Sequence, residues 1–486
     1  MKADLLLSGG TIITVDPARS VIEDGAVAIS GDRIVAVGPR GYVTRAHPAT
    51  RVIDTTHHAI LPGLIDGHGH AGHGLVKSLC GGDGAAWMDA CRVIYTTGSS
   101  PGFWQAEAKL AALERLMFGV TTGVSLLGGG DSVMRTDDPA HGQAHCAGVA
   151  EIGIRAIVAV GPTRPPHPRT YASWEGGRRM EYPVSFERQL ETMQALIETC
   201  HGRDGVQIAM LMPVVREEQD AAERASVMRQ GRLVQELQRK YRLLFHQDGH
   251  RAGSIDVADR VFGLMGPDVF LSHCTDLTQA DIAALERHNV AVVHNPSAIA
   301  SVRGYCPVPE LLDRGITVML GSDGTAPDRS TDMFRHMFMA RRVHQREHRD
   351  ESLIPPGKAL EMVTIDAARG LRMDRDIGSL EPGKLADIIT VDLRKPHLAP
   401  RNMPLWRLVC FANGQDVDTV VVGGRVLMQG RKVAHVDIDA VLDEAQLATE
   451  LMLDRTGLRP ALAEPATLWG QKHSRTLRAP SGVRRR

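Results

Sequence analysis

The amino-acid sequence predicts an α/β fold of the (β/α)8 TIM-barrel type, and three observations carry that expectation. Apolar, strand-like runs alternate with helical stretches along the middle of the chain, as βα units do. Several of these runs stop on a histidine or an aspartate. Carboxyl-terminal strand ends are where barrels of this type build their active sites.

The first run is the most informative. Leu61-Pro62-Gly63-Leu64-Ile65-Asp66-Gly67-His68-Gly69-His70 ends on two histidines separated by one glycine. Side chains at i and i+2 of a strand project to the same side, so His68 and His70 can present both imidazoles to one ion. In a chain with 21 histidines such a pair also arises by chance, and two donors do not complete a coordination sphere. Three later runs offer the missing ones: residues 241–245 lead into His246, 268–272 into His273, and 315–322 into Asp323. Each alone is more often a structural histidine or a turn aspartate. Five donors at the ends of successive buried strands are hard to obtain by accident.

Around that middle section, residues 1 to about 58 follow hairpin grammar, with β-rich stretches at 4–8 and 25–30, a Gly31-Asp32-Arg33 turn and a return over 33–37. The segment is too small for a core of its own. Residues 385–392 and 419–428 repeat its strand-and-glycine style near the other end. In between, the pattern predicts a helix over 104–118 stopped by Gly119, strands at 120–125, 154–160 and 206–212, and a helix over 185–200. Two long connections, 71–103 with Trp87 and 161–183 with Tyr171, Trp174 and Tyr182, read as loops over the barrel mouth. The chain closes with a helix over 437–454 and a solvated basic tail ending Arg484-Arg485-Arg486.

Composition narrows the class. A chain of 486 residues exceeds the size at which one core stops growing. Hydrophobic residues at 43% and charged residues at 23% are ordinary for a soluble globular protein. A net charge of -1 supplies no field to recruit nucleic acid or an anionic membrane. The seven cysteines show no Cys-x-x-Cys spacing and suit a reducing cytoplasm. The first residues lack the charged-then-apolar pattern expected of a signal peptide, and no uninterrupted apolar stretch reaches membrane-spanning length. A cytoplasmic protein acting on a small molecule is expected, with neither nucleic acid nor membrane as partner.

The motifs Pro62-Gly63-Leu64-Ile65-Asp66-Gly67-His68-Gly69-His70 and Gly321-Ser322-Asp323-Gly324 resemble those of the metal-dependent amidohydrolase superfamily. The likeness is to the branch of triazine hydrolases and of cytosine-type, guanine-type and adenosylhomocysteine-type deaminases, and it runs from residues 4–12 to 420–426. It implies a barrel over 59–384, a small β-sandwich built from both chain ends, 1–58 with 385–436, and a C-terminal helix and tail over 437–486. It also implies one divalent ion held by His68, His70, His246 and Asp323, zinc first, with iron, cobalt and manganese compatible with the same donors. The fourth strand ends without the lysine that bridges two metals in binuclear relatives. Such an ion turns water into hydroxide near neutral pH, ready to attack an sp² carbon. Asp323 would take the proton while His273 polarises the substrate. Relatives commonly form dimers or tetramers, so a homo-oligomer such as a homodimer is expected.

Two departures from the relatives shift the expected chemistry. Deaminases of this branch carry a proton-relaying glutamate three positions after the fifth-strand histidine, where this chain has Gly249. Asp248 or His250 could substitute, and His250 joins His273 and Asp323 as a candidate catalytic residue. After the seventh strand, His294-Asn295-Pro296-Ser297 is followed by Ala298-Ile299 in place of a polar pair. Both changes favour hydrolysis of an amide, urea or carbamate, with amine release. Deamination or dechlorination of a purine, pyrimidine or triazine ring is the alternative, and a barrel without catalysis is the third class. His73 reads as structural and Cys274 as a small buried residue.

Overall fold

A computed structural model describes residues 2–130, 133–215, 220–298, 304–465 and 468–469. Eight parallel strands follow one another around a barrel: β1 (Leu64–Asp66), β2 (Val120–Leu126), β3 (Arg155–Val160), β4 (Val206–Leu211), β5 (Phe245–Gln247), β6 (Val269–Ser272), β7 (Ala291–His294) and β8 (Val318–Leu320). Consecutive strands pair in order from β1 to β8. The ring is closed where Gly67 N–H donates to Leu320 O and Asp323 N–H donates to His68 O, both at 2.9 Å. Strands covered on both faces should be apolar throughout, and every residue of β2, including Thr121, Thr122 and Ser125, is buried. Helices Pro101–Met117, Pro139–Ile152, Phe186–Cys200, Ala221–Tyr241 and Met333–His348 belong to the same chain segment.

Two strands are shorter than the sequence pattern predicts. Of the run 241–245, Tyr241 is the last residue of the preceding helix, Arg242 caps it in the left-handed region, and the strand begins only at Phe245. Only Phe245–Gln247 pairs as strand. Likewise the run 315–322 narrows to Val318–Leu320. Asp323 lies beyond the end of its strand, whereas His246 is itself a paired strand residue.

Strands from the two ends of the chain make a separate sheet of nine strands. Its first strand, Ala3–Ile13, pairs through Ala3–Ser8 with Ala49–Asp54 and through Thr11 and Ile12 with His58–Pro62. One long strand thus joins what was expected as two layers. Leu5, Ile12, Val27, Ile29 and Ile53 share one core with Ile388 and Val421 from the opposite end. Hydrogen bonding carries this sheet through Pro62, past the expected boundary at residue 58, because His58–Pro62 pairs with Ile388–Asp392 before the chain turns into β1.

The two long connections are more ordered than loops. The first folds into helix Gly84–Val93 with short helical turns on either side, and buries Trp87 and Tyr95. The second contains a hairpin, Arg169–Glu175 with Arg178–Val184. Trp174 Nε1 donates to Thr97 O at 2.7 Å, so the two insertions brace each other. The expected C-terminal helix runs over Ile438–Thr456, capped by Asp437, and lies along Pro101–Met117 with Lys109 bound to Glu444 at 3.0 Å. Among the described residues no helix is long and apolar enough to cross a membrane. The terminal arginines and Ile299 lie outside the described residues.

Candidate metal centre

The donors come together at the carboxyl rim. His70 Nε2 lies 3.0 Å from Asp323 Oδ1, and His68 Nε2 lies 3.4 Å from the same oxygen. His273 Nε2 is 3.7 Å from it. The His246 ring centroid is 5.2 Å from that of His68 and 4.2 Å from Phe270, on which it stacks. Residues more than two hundred positions apart in the chain, such as His70 and Asp323, thus lie side by side.

Hydrogen bonds decide which nitrogens are free to coordinate. His246 Nδ1 lies 2.8 Å from Phe270 O, and His70 Nδ1 lies 2.8 Å from Gly128 O. A carbonyl only accepts, so each Nδ1 carries the proton and each Nε2 presents a lone pair. His246 Nε2 and both His68 nitrogens are buried with no hydrogen-bond partner among the described residues. Buried polar atoms ordinarily have partners. Their surroundings of imidazole and carboxylate are what a divalent cation requires, so these residues fit the metal.

The backbone is also bent to this purpose. His273 (φ 64°), Cys274 (φ 47°) and Asp323 (φ 58°) all lie in the left-handed region, at roughly 1–3 kcal/mol each for residues other than glycine. The approach of β8 to β1 is equally tight. A Cβ at Gly321 would meet Asn295 Oδ1 at 2.4 Å and the His68 Cβ at 2.8 Å.

Charge is concentrated here. Burial would raise the Asp323 carboxyl, but His273, Arg329 and the close imidazoles of His68 and His70 outweigh it and hold the group well below the usual carboxylate range. Burial would lower His70 and His273, but Asp323 and Asp248 outweigh it and raise both. For His246, burial together with His68 pulls the imidazole down to about 3. Burial pushes the Cys274 thiol well up, which fits a packing residue rather than a nucleophile.

Of the two neighbours considered for the missing glutamate, only Asp248 enters the cluster. Its Oδ1 lies 3.4 Å from His68 Nε2 and 3.3 Å from His273 Nε2, and its Oδ2 lies 3.6 Å from His70 Nε2. His250 instead engages Ser254 Oγ through Nδ1 at 2.9 Å, and its Nε2 is buried with no hydrogen-bond partner among the described residues. Gly249 between them has φ 91°, and a Cβ there would meet nothing within 4 Å. His73 stacks on His70 at 4.7 Å and meets Trp87 edge-on, as a supporting side chain would.

Sequence reasoning did not single out Arg329 or Asn295. Arg329 Nη2 lies 3.5 Å from Asp323 Oδ2 and donates to Asp323 O at 3.2 Å. Asn295 Nδ2 lies 3.5 Å from His273 Nδ1. The only signal for Arg329 is a cation six residues beyond Asp323, which many loops contain. A cavity of about 540 Å³ opens beside it, with Ser297, Asp328, Ser330, Phe334 and His336 in its wall.

Imidazoles with free lone pairs and carboxylates held anionic, gathered at a barrel rim, are the equipment of a hydrolase that works with a divalent metal. Residues 59–427 match the model of the Amidohydrolase family, and the chain belongs to that family: it is a hydrolase acting on carbon–nitrogen bonds. It is 31% identical over 468 residues to a 5-methylthioadenosine/S-adenosylhomocysteine deaminase of Syntrophobacter fumaroxidans, covering 92% of this chain and 97% of the relative. A 5'-deoxyadenosine deaminase of Methanosarcina mazei is 28% identical over 93% of this chain and 99% of its own length. Two solved structures share the fold. An adenosine deaminase from Xanthomonas campestris with bound zinc has a TM-score of 0.78 at 22% identity, covering 93% of this chain and 99% of that one. Atrazine chlorohydrolase from Arthrobacter aurescens complexed with zinc has a TM-score of 0.75 at 21% identity, covering 92% of this chain and 100% of that one.

Proposed function

We propose that the protein hydrolytically removes the exocyclic amine of an aminated heterocycle, a purine-type ring first among them, releasing ammonia. The observation that carries this is the convergence of His68, His70, Asp323 and His273 on one point at the carboxyl rim of the barrel. The deaminase names of relatives that match almost end to end point the same way.

His68, His70, His246 and Asp323 would hold one ion per chain, zinc by choice of donors. When bound, the metal supplies acidified water and polarises the carbon under attack. Asp323 accepts a proton from the attacking water and returns it to the departing nitrogen, so that water and an amine become a hydroxyl-bearing ring and ammonia. His273, held by Asn295 behind and the carboxylates in front, steadies the charge that develops on the substrate. His250 is given no part in the step.

A second reading, cleavage of an amide, urea or carbamate, is favoured by Gly249 and by the apolar Ala298 in the His294-Asn295-Pro296-Ser297-Ala298 segment. Elemental analysis followed by a substrate panel separates the two. Ammonia from 6-aminopurine nucleosides supports deamination, whereas amine release from anilides, ureas or carbamates alone would replace it. Seven thiols, none in a disulfide, fit the expected cytoplasmic location, and light scattering on the same preparation reads the expected dimer or tetramer.

A further inference from the structure

The carboxylate of Asp248 is not explained by the four ligands named above. Asp248 follows the last residue of β5, two positions after His246, and its carboxylate faces the same cluster of imidazoles. A carboxylate that only hydrogen-bonds to an imidazolium settles at about 2.7–2.9 Å. Asp248 stands off at 3.3, 3.4 and 3.6 Å from three different Nε2 atoms. Two donors that each reach a common ion at about 2.0–2.2 Å with tetrahedral geometry lie roughly 3.3–3.6 Å apart. The separations are those of atoms sharing a cation.

Asp248 is also held in place from behind. Ser272 Oγ donates to Oδ1, and the Gly249 N–H donates to Ser272 Oγ at 3.2 Å, so the serine at the end of β6 orients the carboxylate. Ligating carboxylates characteristically carry such an outer hydrogen bond. Gly249, where relatives place their glutamate, leaves open space above.

We propose that Asp248 is a direct ligand of the metal, a second carboxylate in the coordination sphere alongside Asp323. The inference rests on the metal site of the preceding section but adds a ligand to it. A sphere with two carboxylates is harder than one with a single carboxylate, and it should bind Mn²⁺ better relative to Zn²⁺.

The test is binding of Co²⁺ alone to metal-free protein, read by visible absorption and by affinity, in wild type, Asp248→Asn, Asp248→Ala and His68→Ala. Thermal melts of the metal-free forms verify folding, and the asparagine variant keeps the shape and the Ser272 bond. Loss of an outer-shell partner costs 10–100-fold in affinity. A ligand should therefore cost more than about 100-fold in both Asp248 variants and change the Co²⁺ spectrum. Wild-type affinity and spectrum in Asp248→Asn and Asp248→Ala, with binding lost in His68→Ala, would overturn the proposal and leave the metal site standing. A wild-type chain that takes up no Co²⁺ would overturn both.

Discussion

Asp66 on β1 and Ser322 just beyond β8 are joined by two hydrogen bonds of 2.8 Å, one from the Ser322 backbone N–H to Oδ1 and one from its hydroxyl to Oδ2. Arg115 adds bonds from Nε at 3.1 Å and Nη2 at 2.9 Å to Asp66 Oδ2, and reaches Ser125 Oγ on β2 at 2.8 Å. This buried pair fastens the barrel's closing seam directly beneath His68 and Asp323. Removing one partner of such a pair leaves an uncompensated charge, at about 3–5 kcal/mol. Asp66→Ala should lose that much in urea unfolding, whereas Ser322→Ala should lose about 1–2 kcal/mol. Equal effects from the two variants would show that the seam is not held this way.

The metal site predicts an all-or-none response. His68→Ala removes a proposed ligand and Asp323→Asn the proposed proton acceptor, so each should abolish turnover while the barrel's circular dichroism is kept. Chelation should inactivate the wild type and added zinc should restore it. Undiminished activity in rigorously metal-free buffer would refute the site.

Acid should destabilise the fold through helix Pro139–Ile152. Burial, with Arg135 nearby, pulls His141 down to about 3, and burial, with Arg115 nearby, pulls His145 down to about 3. In the unfolded chain both take up a proton near 6.5, so between about pH 6.5 and 3 the unfolded state binds more protons than the folded one. Stability therefore falls as the pH falls through that window, by about 1.4 kcal/mol per pH unit for each histidine. Urea midpoints measured across it should show a shallower slope in a variant with asparagine at both positions. An unchanged slope would remove these two groups from the explanation.

The bracing of the insertions can be probed at Asp137. Arg135 is fully buried, pairs with Asp137 at 3.0 Å and donates to Tyr95 O and Ala172 O, while Tyr182 Oη donates to Asp137 at 2.6 Å. Asp137→Ala strands the guanidinium and frees the hairpin strand Arg178–Val184. Limited proteolysis should then cut within residues 169–184 well before the barrel, a region the wild type protects. Identical digestion of both proteins would argue against the brace.

The sequence by itself determined the barrel and marked the residues proposed as its principal donors. His68-Gly69-His70 and Asp323 stand in local motifs whose i, i+2 geometry and strand-end position can be read along the chain. Two other matters were decided only in three dimensions. Asp248 and His250 flank the same glycine and are equivalent as text, yet Ser272 turns one carboxylate into the cluster while Ser254 holds the other side chain aside. The nine-stranded sheet and the Asp66–Arg115–Ser322 seam likewise join residues hundreds of positions apart. Periodicity records which way a side chain faces on its own element, whereas partners across the fold depend on how whole elements pack, and that packing leaves no local trace.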